Sequence, residues 1–426
     1  YIIRKKVNGK LPNKWKGFFH EDVWTKLDCS EDEYYFHMFA KTQPELNWEN
    51  PKLREEVKKI LRFWLDLGVS GFRCDVINLI SKDYSKFGYG NLKLFLKGYS
   101  PVVDGPRLNE YLHELYEDVL SHYDCMTVGE TVFGKLDTSN QLVDPKNEEL
   151  DMVFNMDHLN VDAFIGAKWF YRKFKLKRLM KVVNKWQKGL VSGNNSLFIE
   201  NHDQRRSVGR FGTNDKEYRV QSAKMLAVSY FLLKGTPFIY QGQEIGMTNT
   251  DINRLEDLKD IEALNFYPRI DDFPFLKKYM RRHFFEVVRD NARTPMQWDD
   301  SKYAGFSTSE PWLKVNANKD KINVKESLND PNGIIATYKF LIDFRKNSDV
   351  IKHGSFDFIV KNNNSIFAYI RKKNNKKVVV ISNFTAKEQC IKKLEKYLNY
   401  ELCYCNYEKD LGPKLRPYET RIYIKN

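Results

Sequence analysis

The stretch Val69-Ser-Gly-Phe-Arg-Cys-Asp-Val-Ile77 decides the fold. It is a short, mostly apolar run with the polar side chains Arg73 and Asp75 towards its end, as a strand has when that end opens on a pocket. It follows directly on Lys52–Leu67, where Leu53, Val57, Ile60, Leu61, Trp64 and Leu67 recur at helical spacing. Gly68, between the two, stands where a helix C-cap glycine is expected. Helix, glycine stop and short strand together read as one step of a βα alternation.

The step repeats along the chain. Strands are expected at Asp124–Gly129, Leu150–Asn155, Ser196–Glu200 and Thr236–Tyr240, with helices over Arg107–His122, Leu179–Gly189 and Tyr218–Leu233. A last helix, Gly333–Arg345, follows a charged insert that runs roughly over residues 243–332. Short apolar strands alternating with amphipathic helices mean an α/β fold around a parallel sheet. Residues 1–50 lack periodicity and read as a loop-rich lobe. Beyond residue 348 the pattern turns to β: Phe356–Val360, Ser365–Tyr369, Lys377–Ser382 and Thr420–Ile424, separated by polar turns such as Lys361–Asn364, with a weak helix signal near Cys390–Tyr397. The expected division is therefore 1–50 lobe, 51–348 β/α domain and 349–426 antiparallel β domain.

Composition narrows the function classes. The chain has 426 residues, 42% hydrophobic and 30% charged, which excludes collagenous, low-complexity and disordered chains. No apolar run reaches the ~18 residues of a membrane span, so no membrane partner is expected. The net charge is +14, but lysines are spread from Lys5 to Lys425. A diffuse excess serves solubility, and no nucleic-acid partner is expected. The local clusters Arg172–Lys181 and Arg371–Lys377 read as a helix and a hairpin turn. Cys29, Cys74, Cys125, Cys390, Cys403 and Cys405 form no CxxC pair or zinc spacing with histidine, which fits reduced thiols, a cytoplasmic protein and no metal at the site.

Three acids stand at or beside strand ends: Asp75, Glu130 and Asp203. In parallel β/α folds the loops at that end build the pocket. Arg73, two residues before Asp75, faces the same way along a strand, and His202 precedes Asp203. Taken singly, each acid is as readily a helix cap or the partner of a surface lysine. Taken together, they point to carboxylate chemistry.

Gly71-Phe-Arg-Cys-Asp75, Val128-Gly-Glu130 and Asn201-His-Asp203 resemble the strand-4, strand-5 and strand-7 motifs of the α-amylase family, the family 13 glycoside hydrolases. Gln43-Pro-Glu-Leu-Asn47, Gly235-Thr-Pro-Phe-Ile-Tyr-Gln-Gly242 and Asp290-Asn-Ala-Arg-Thr-Pro-Met-Gln-Trp298 resemble its oligo-1,6-glucosidase and trehalose-6-phosphate hydrolase branch. The resemblance runs in order over essentially the whole chain. It implies a (β/α)8 TIM-barrel fold with strands 4 to 8 in this chain, a lobe inserted after strand 3, and a C-terminal β-sandwich. It makes Asp75 the nucleophile, Glu130 the acid/base and Asp203 the residue that holds sugar hydroxyls and stabilises the transition state. Arg73 would pair with Asp75, a nearby cation favouring a carboxylate's ionised form. His202 and Arg293 would bind the reacting sugar. Val76, beside the nucleophile, would shape linkage specificity, Val going with α-1,6 or trehalose-6-phosphate substrates and Thr with α-1,4.

The expected function is hydrolysis of α-1,6-glucosidic bonds at the non-reducing end of isomalto-oligosaccharides, with trehalose-6-phosphate hydrolysis, or a non-catalytic relative, as the alternatives. The partner is an oligosaccharide or disaccharide, no organic cofactor is implied, and the enzyme is expected to be a monomer. The strand-1 and strand-3 motifs, and the calcium loop of some relatives, have no counterpart here. A fragment of a longer enzyme is thus expected, with open sheet edges. Trp298 is expected in the core. Arg205 and Arg206, where the family's Asn-His-Asp-Gln-Pro-Arg would place a proline, are expected at the pocket mouth or on a phosphate.

Overall fold

The computed structural model describes residues 1–87, 101–164, 167–390, 392–408 and 412–426. They fall into two compact units interleaved along the chain. The first comprises 1–156, 190–195 and 261–272, and the second 157–189, 196–260 and 273–426.

The first unit opens differently from expectation. Residues 1–50 carry an antiparallel sheet in the order Ile3–Lys5, Glu33–Phe36, Trp24–Lys26. Its strands are three or four residues long, too short for a period of two to show. Trp15, Trp24, Phe36, Met38 and Phe87 bury against one another to hold it.

The helix Pro51–Asp66 forms where the spacing placed it. The Asn50 side chain caps it by accepting from the Lys52 amide at 3.0 Å, Pro51 enters at its first turn, and Gly68 leaves it at φ +93°. Only part of its apolar stripe is covered. Leu53, Val57 and Leu61 pack towards Trp48, Tyr111 and Leu115, whereas Ile60, Trp64 and Leu67 are 57%, 48% and 65% exposed. The helix Leu108–Asp118 buries Leu108, Tyr111, Leu112 and Leu115 at proper helical spacing.

The parallel ladder of this unit runs Gly71–Cys74, Met126–Thr131, Met152–Asn155, then Asn194 and Asn195 at the start of the strand Asn194–Leu197. Gly71 begins it at φ +152°, and a Cβ there would collide with the Met126 carbonyl, so glycine permits the two backbones to approach. Arg73 lies opposite Val128, and Glu130 opposite Phe154. Acid and arginine therefore come from neighbouring strands.

In the second unit Ser196 and Leu197 pair in parallel with Thr236 and Pro237. The latter strand is shorter than expected because Pro237 has no N–H for the ladder. The helices Leu176–Gly189, Arg219–Phe231 and Ile334–Asn347 bury their apolar sides in one large cluster with Leu197 and Ile199. The Arg172–Lys181 cluster is only partly helical, since the helix starts at Leu176 and the strand Ala167–Tyr171 precedes it.

The C-terminal sheet belongs to this unit. It is antiparallel, in the order Ser355–Phe358, Ile366–Lys373, Lys376–Asn383, Thr420–Lys425, Glu401–Cys405. The Arg371–Lys377 cluster is the expected hairpin, closed between Lys373 and Lys376, with Asn374 at φ +54° as a tight β-turn demands. A two-stranded ladder, Gln389–Cys390 with Lys414–Leu415, adds to it. Lys392–Glu395 accounts for the helix signal, position 391 lying outside the described residues. Cys403 and Cys405 lie on the edge strand as free thiols. No described helix is long and apolar enough to cross a membrane.

Candidate active site

In the first unit the nucleophile candidate stands just beyond a strand. The ladder ends at Cys74, so Asp75 is the first residue of the turn, with its side chain 72% exposed, whereas the Glu130 side chain is 7% exposed. Arg73 joins the two. Its Nη1 donates to Asp75 Oδ1 and its Nη2 to Glu130 Oε2. One planar guanidinium thus spans both carboxylates, a geometry suited to Arg rather than Lys. Between them in sequence, burial pushes the Cys74 thiol up to about 11, which leaves it a neutral, inert filler.

Two features fix the turn. Val76 takes φ +37° and ψ +41°, a left-handed conformation rare for a β-branched residue, and its half-buried side chain packs against the cluster of Leu79, Phe87 and Val102. Asn78, fully buried, accepts from the Val132 amide at 3.1 Å and donates to the Val132 carbonyl and to Asp104 Oδ1, both at 2.9 Å. It therefore ties the turn after Asp75 to the loop after Glu130. Glu45 of the Gln43–Asn47 motif accepts from the buried Lys82 Nζ at 2.5 Å, anchoring the lobe to the segment that follows Asp75.

The second unit groups His202, Asp203 and Arg293. The Asp203 amide donates to Asn201 Oδ1 at 3.0 Å, which turns the chain sharply after the strand. Arg293 Nη2 donates to Asp203 Oδ1 at 2.5 Å, its Nε donates to the His202 carbonyl at 2.8 Å, and His202 Nε2 lies 3.5 Å from Asp203 Oδ2. Arg289 Nη1 reaches the same Oδ1 at 3.4 Å. Burial pushes the Asp203 carboxyl up, but the charges of His202, Arg289, Arg293 and Lys168 outweigh it and hold the group below its ordinary range. Asp203 is an anion built to stay one.

Two expectations fail in this unit. Trp298 is 50% exposed, not core. Its amide donates to the Ala304 carbonyl at 2.8 Å and its carbonyl accepts from the Lys325 amide at 3.0 Å, so the loop presents the ring outward. Arg206 is 1% exposed and contacts no open pocket mouth. It donates to Glu200 Oε1 at 3.0 Å, to the Gln241 carbonyl at 2.7 Å and to the Ala292 carbonyl at 3.3 Å. Arg205 is spent on the buried Asp162 at 2.8 Å and on Tyr171. Both arginines brace the loop after the strand. The sequence reading missed Arg289 and Asp260; Arg289 adjoins the quoted Asp290–Trp298 motif, which was the signal available.

Each unit thus presents carboxylates at or just beyond the carboxyl ends of parallel strands, each paired with arginine, an arrangement suited to acid–base chemistry. Comparison with known proteins gives the family. The alpha-amylase catalytic domain matches residues 1–354. The chain is 44% identical to the oligo-1,6-glucosidase of Bacillus cereus, over 99% of this chain and 77% of that protein. It is 40% identical to the trehalose-6-phosphate hydrolase of Bacillus subtilis, over 99% and 76%. Among solved structures, it covers 77% of the trehalose-6-phosphate hydrolase of Bacillus licheniformis (36% identity, TM-score 0.88) and 77% of the isomaltulose synthase of Erwinia rhapontici (33%, 0.91), each over 100% of this chain. The chain belongs to the alpha-amylase family of glycoside hydrolases, whose fold is a (β/α)8 barrel with a C-terminal antiparallel β domain.

Proposed function

We propose that the chain is a retaining α-glucosidase that hydrolyses α-1,6-glucosidic bonds at the non-reducing end of isomalto-oligosaccharides. The observation that carries this is the Arg73 guanidinium spanning Asp75 and Glu130. A retaining mechanism needs two carboxyl groups ~5–5.5 Å apart, and a single bridging arginine keeps both within such reach.

In this reading Asp75 attacks the anomeric carbon as the glycosidic bond breaks, and Glu130 gives its proton to the departing oxygen. Glu130 then takes a proton from water, which displaces Asp75 and restores the starting configuration. The exposure of Asp75 suits a group that must touch substrate. Asp203, kept anionic, would accept the sugar hydroxyls whose bonds strengthen as positive charge grows on the ring, with His202 and Arg293 beside it. Val76, strained beside the nucleophile, would set linkage preference.

Trehalose-6-phosphate hydrolysis is the second reading, favoured by relatives and solved neighbours of that activity. Arg205 and Arg206 lend it no support, because both are already engaged within the protein. The proposal extends to a monomeric cytoplasmic enzyme whose six cysteines are free, divided as 1–50, 51–348 and 349–426. The test is glucose release from isomaltose, maltose and trehalose 6-phosphate, side by side, with Asp75→Asn as the blank. Preferred turnover of isomaltose supports the reading, and preferred turnover of trehalose 6-phosphate transfers it to the second. No turnover of any, by folded protein, overturns both.

A further inference from the structure

Asp203 is not held by Arg293 alone. Behind it lies a relay of buried charges that the sequence motifs do not announce. Arg289 donates from Nε and Nη2 to Asp260 Oδ1, at 2.9 and 2.6 Å, and from its backbone amide to Asp260 Oδ2 at 3.1 Å. Both carboxylate oxygens of Asp260 therefore grip the same residue. Asp260 is itself 1% exposed, and the segment that carries it is pinned by Asp290, whose Oδ2 accepts from the amides of Lys259 and Asp260 at 2.7 and 3.0 Å. Arg289 Nη1 in turn is directed at Asp203 Oδ1, at 3.4 Å.

We infer that Asp260 and Arg289 form a positioning pair for the reaction: Asp260 aims Arg289 so that its Nη1 orients the Asp203 carboxylate. The inference rests on Asp203 acting on the substrate as proposed above. Its physical sense lies in how the two arginines divide the work. Arg293 and Arg289 both meet Oδ1, which leaves Oδ2, near His202, as the oxygen turned to a sugar hydroxyl. An arginine free to swing would spread its charge over many positions. One whose guanidinium is fixed through two hydrogen bonds to a buried anion, with its backbone amide tied to the same carboxylate, holds a single direction, which is what preorganised electrostatics requires. The charged groups that face Asp203 are His202, Arg289, Arg293 and Lys168, so the loss of one cation weakens the field without abolishing it. Neither Asp260 nor Arg289 is placed against the reacting atoms.

The test is a set of variants, Arg289→Gln, Asp260→Asn, Arg289→Lys and the double Asp260→Asn/Arg289→Gln, compared for kcat, KM and the acid limb of kcat/KM on isomaltose, or on whichever substrate the unaltered chain turns over. Removing a cation raises the pKa of a neighbouring carboxylate, so Arg289→Gln is expected to move the acid limb to higher pH and to lower kcat by up to about 10²-fold, the cost of a displaced reacting group. Asp260→Asn removes an anion and keeps the guanidinium, so it should lower kcat likewise without moving the limb to higher pH. The double variant should lose no more kcat than Arg289→Gln alone, and Arg289→Lys should recover the limb but not the full kcat. Thermal melting of each variant separates these effects from folding. An Arg289→Gln variant that keeps the acid limb, or variants that melt early yet keep the kcat and KM of the unaltered chain, would reduce the pair to a structural ion pair and overturn the inference. So would additive losses in the double variant. If the unaltered folded chain cleaves no glucoside, it is the functional reading that fails, and that outcome is distinct.

Discussion

Val76 holds a strained backbone directly beside the proposed nucleophile. A β-branched residue at φ +37° costs free energy, of the order of 1–3 kcal/mol, and here the strained residue follows the proposed nucleophile directly. Replacing it by Thr keeps the branched shape and adds a hydroxyl. Val76→Thr is expected to raise maltose turnover relative to isomaltose, by no more than about 200-fold, since one small group in a pocket is worth ~1–3 kcal/mol. The ratio of the two kcat/KM values checks this. Glu130→Gln keeps the shape but loses the proton, and general acid–base catalysis of this kind is worth about 10²–10⁴-fold. That loss should show on isomaltose and shrink on a glucoside whose leaving group needs no proton. The groupings of Arg73 with Asp75 and Glu130, and of His202 with Asp203 and Arg293, were legible as candidates because they stand in sequence motifs, all but that of Arg293 at strand ends. Arg289 and Asp260 were not, because a buried arginine and its partner look in sequence like any surface ion pair.

At the scale of elements, the legible parts were those long enough to repeat a pattern. The helices Pro51–Asp66, Leu108–Asp118 and Ile334–Asn347 lie within a few residues of their expected bounds, and so do the C-terminal hairpin strands. The three short strands in residues 1–50 escaped, being too brief for alternation and packed through aromatics that recur without period. The contact between the strands beginning at Gly71 and Met126 tests the fold locally. Gly71→Ala places a side chain at φ +152° and against the Met126 carbonyl, and should cost more than about 1 kcal/mol of stability, read as a lower Tm. Just before the strand Met152–Asn155, burial pushes Glu149 from 4.5 up to about 7, with Asn109 donating to it at 2.9 Å. The folded state therefore favours the proton, and stability is lost as pH rises from about 4.5 through about 7. Glu149→Gln, neutral throughout, should show a smaller fall in Tm across that window than the unaltered chain.

For the molecule as a whole, the helix Pro51–Asp66 presents Ile60, Phe63, Trp64 and Leu67 to solvent on its C-terminal half. Apolar surface gathered in this way binds dyes and promotes association. Phe63→Lys combined with Trp64→Lys is expected to lower binding of a hydrophobic dye with little change in Tm, because neither side chain is buried. The central claim concerns chemistry rather than surface: Asp75 is the nucleophile of a retaining glycosidase, and Glu130 the group that resolves its intermediate. The most direct measurement is mass spectrometry of Glu130→Gln protein mixed with an α-glucosyl fluoride, whose leaving group needs no acid. The account predicts one glucosyl unit attached to the peptide that contains Asp75, absent in Asp75→Asn. A glucosyl unit on another residue, or none at all from a chain that still turns over the fluoride, would contradict it.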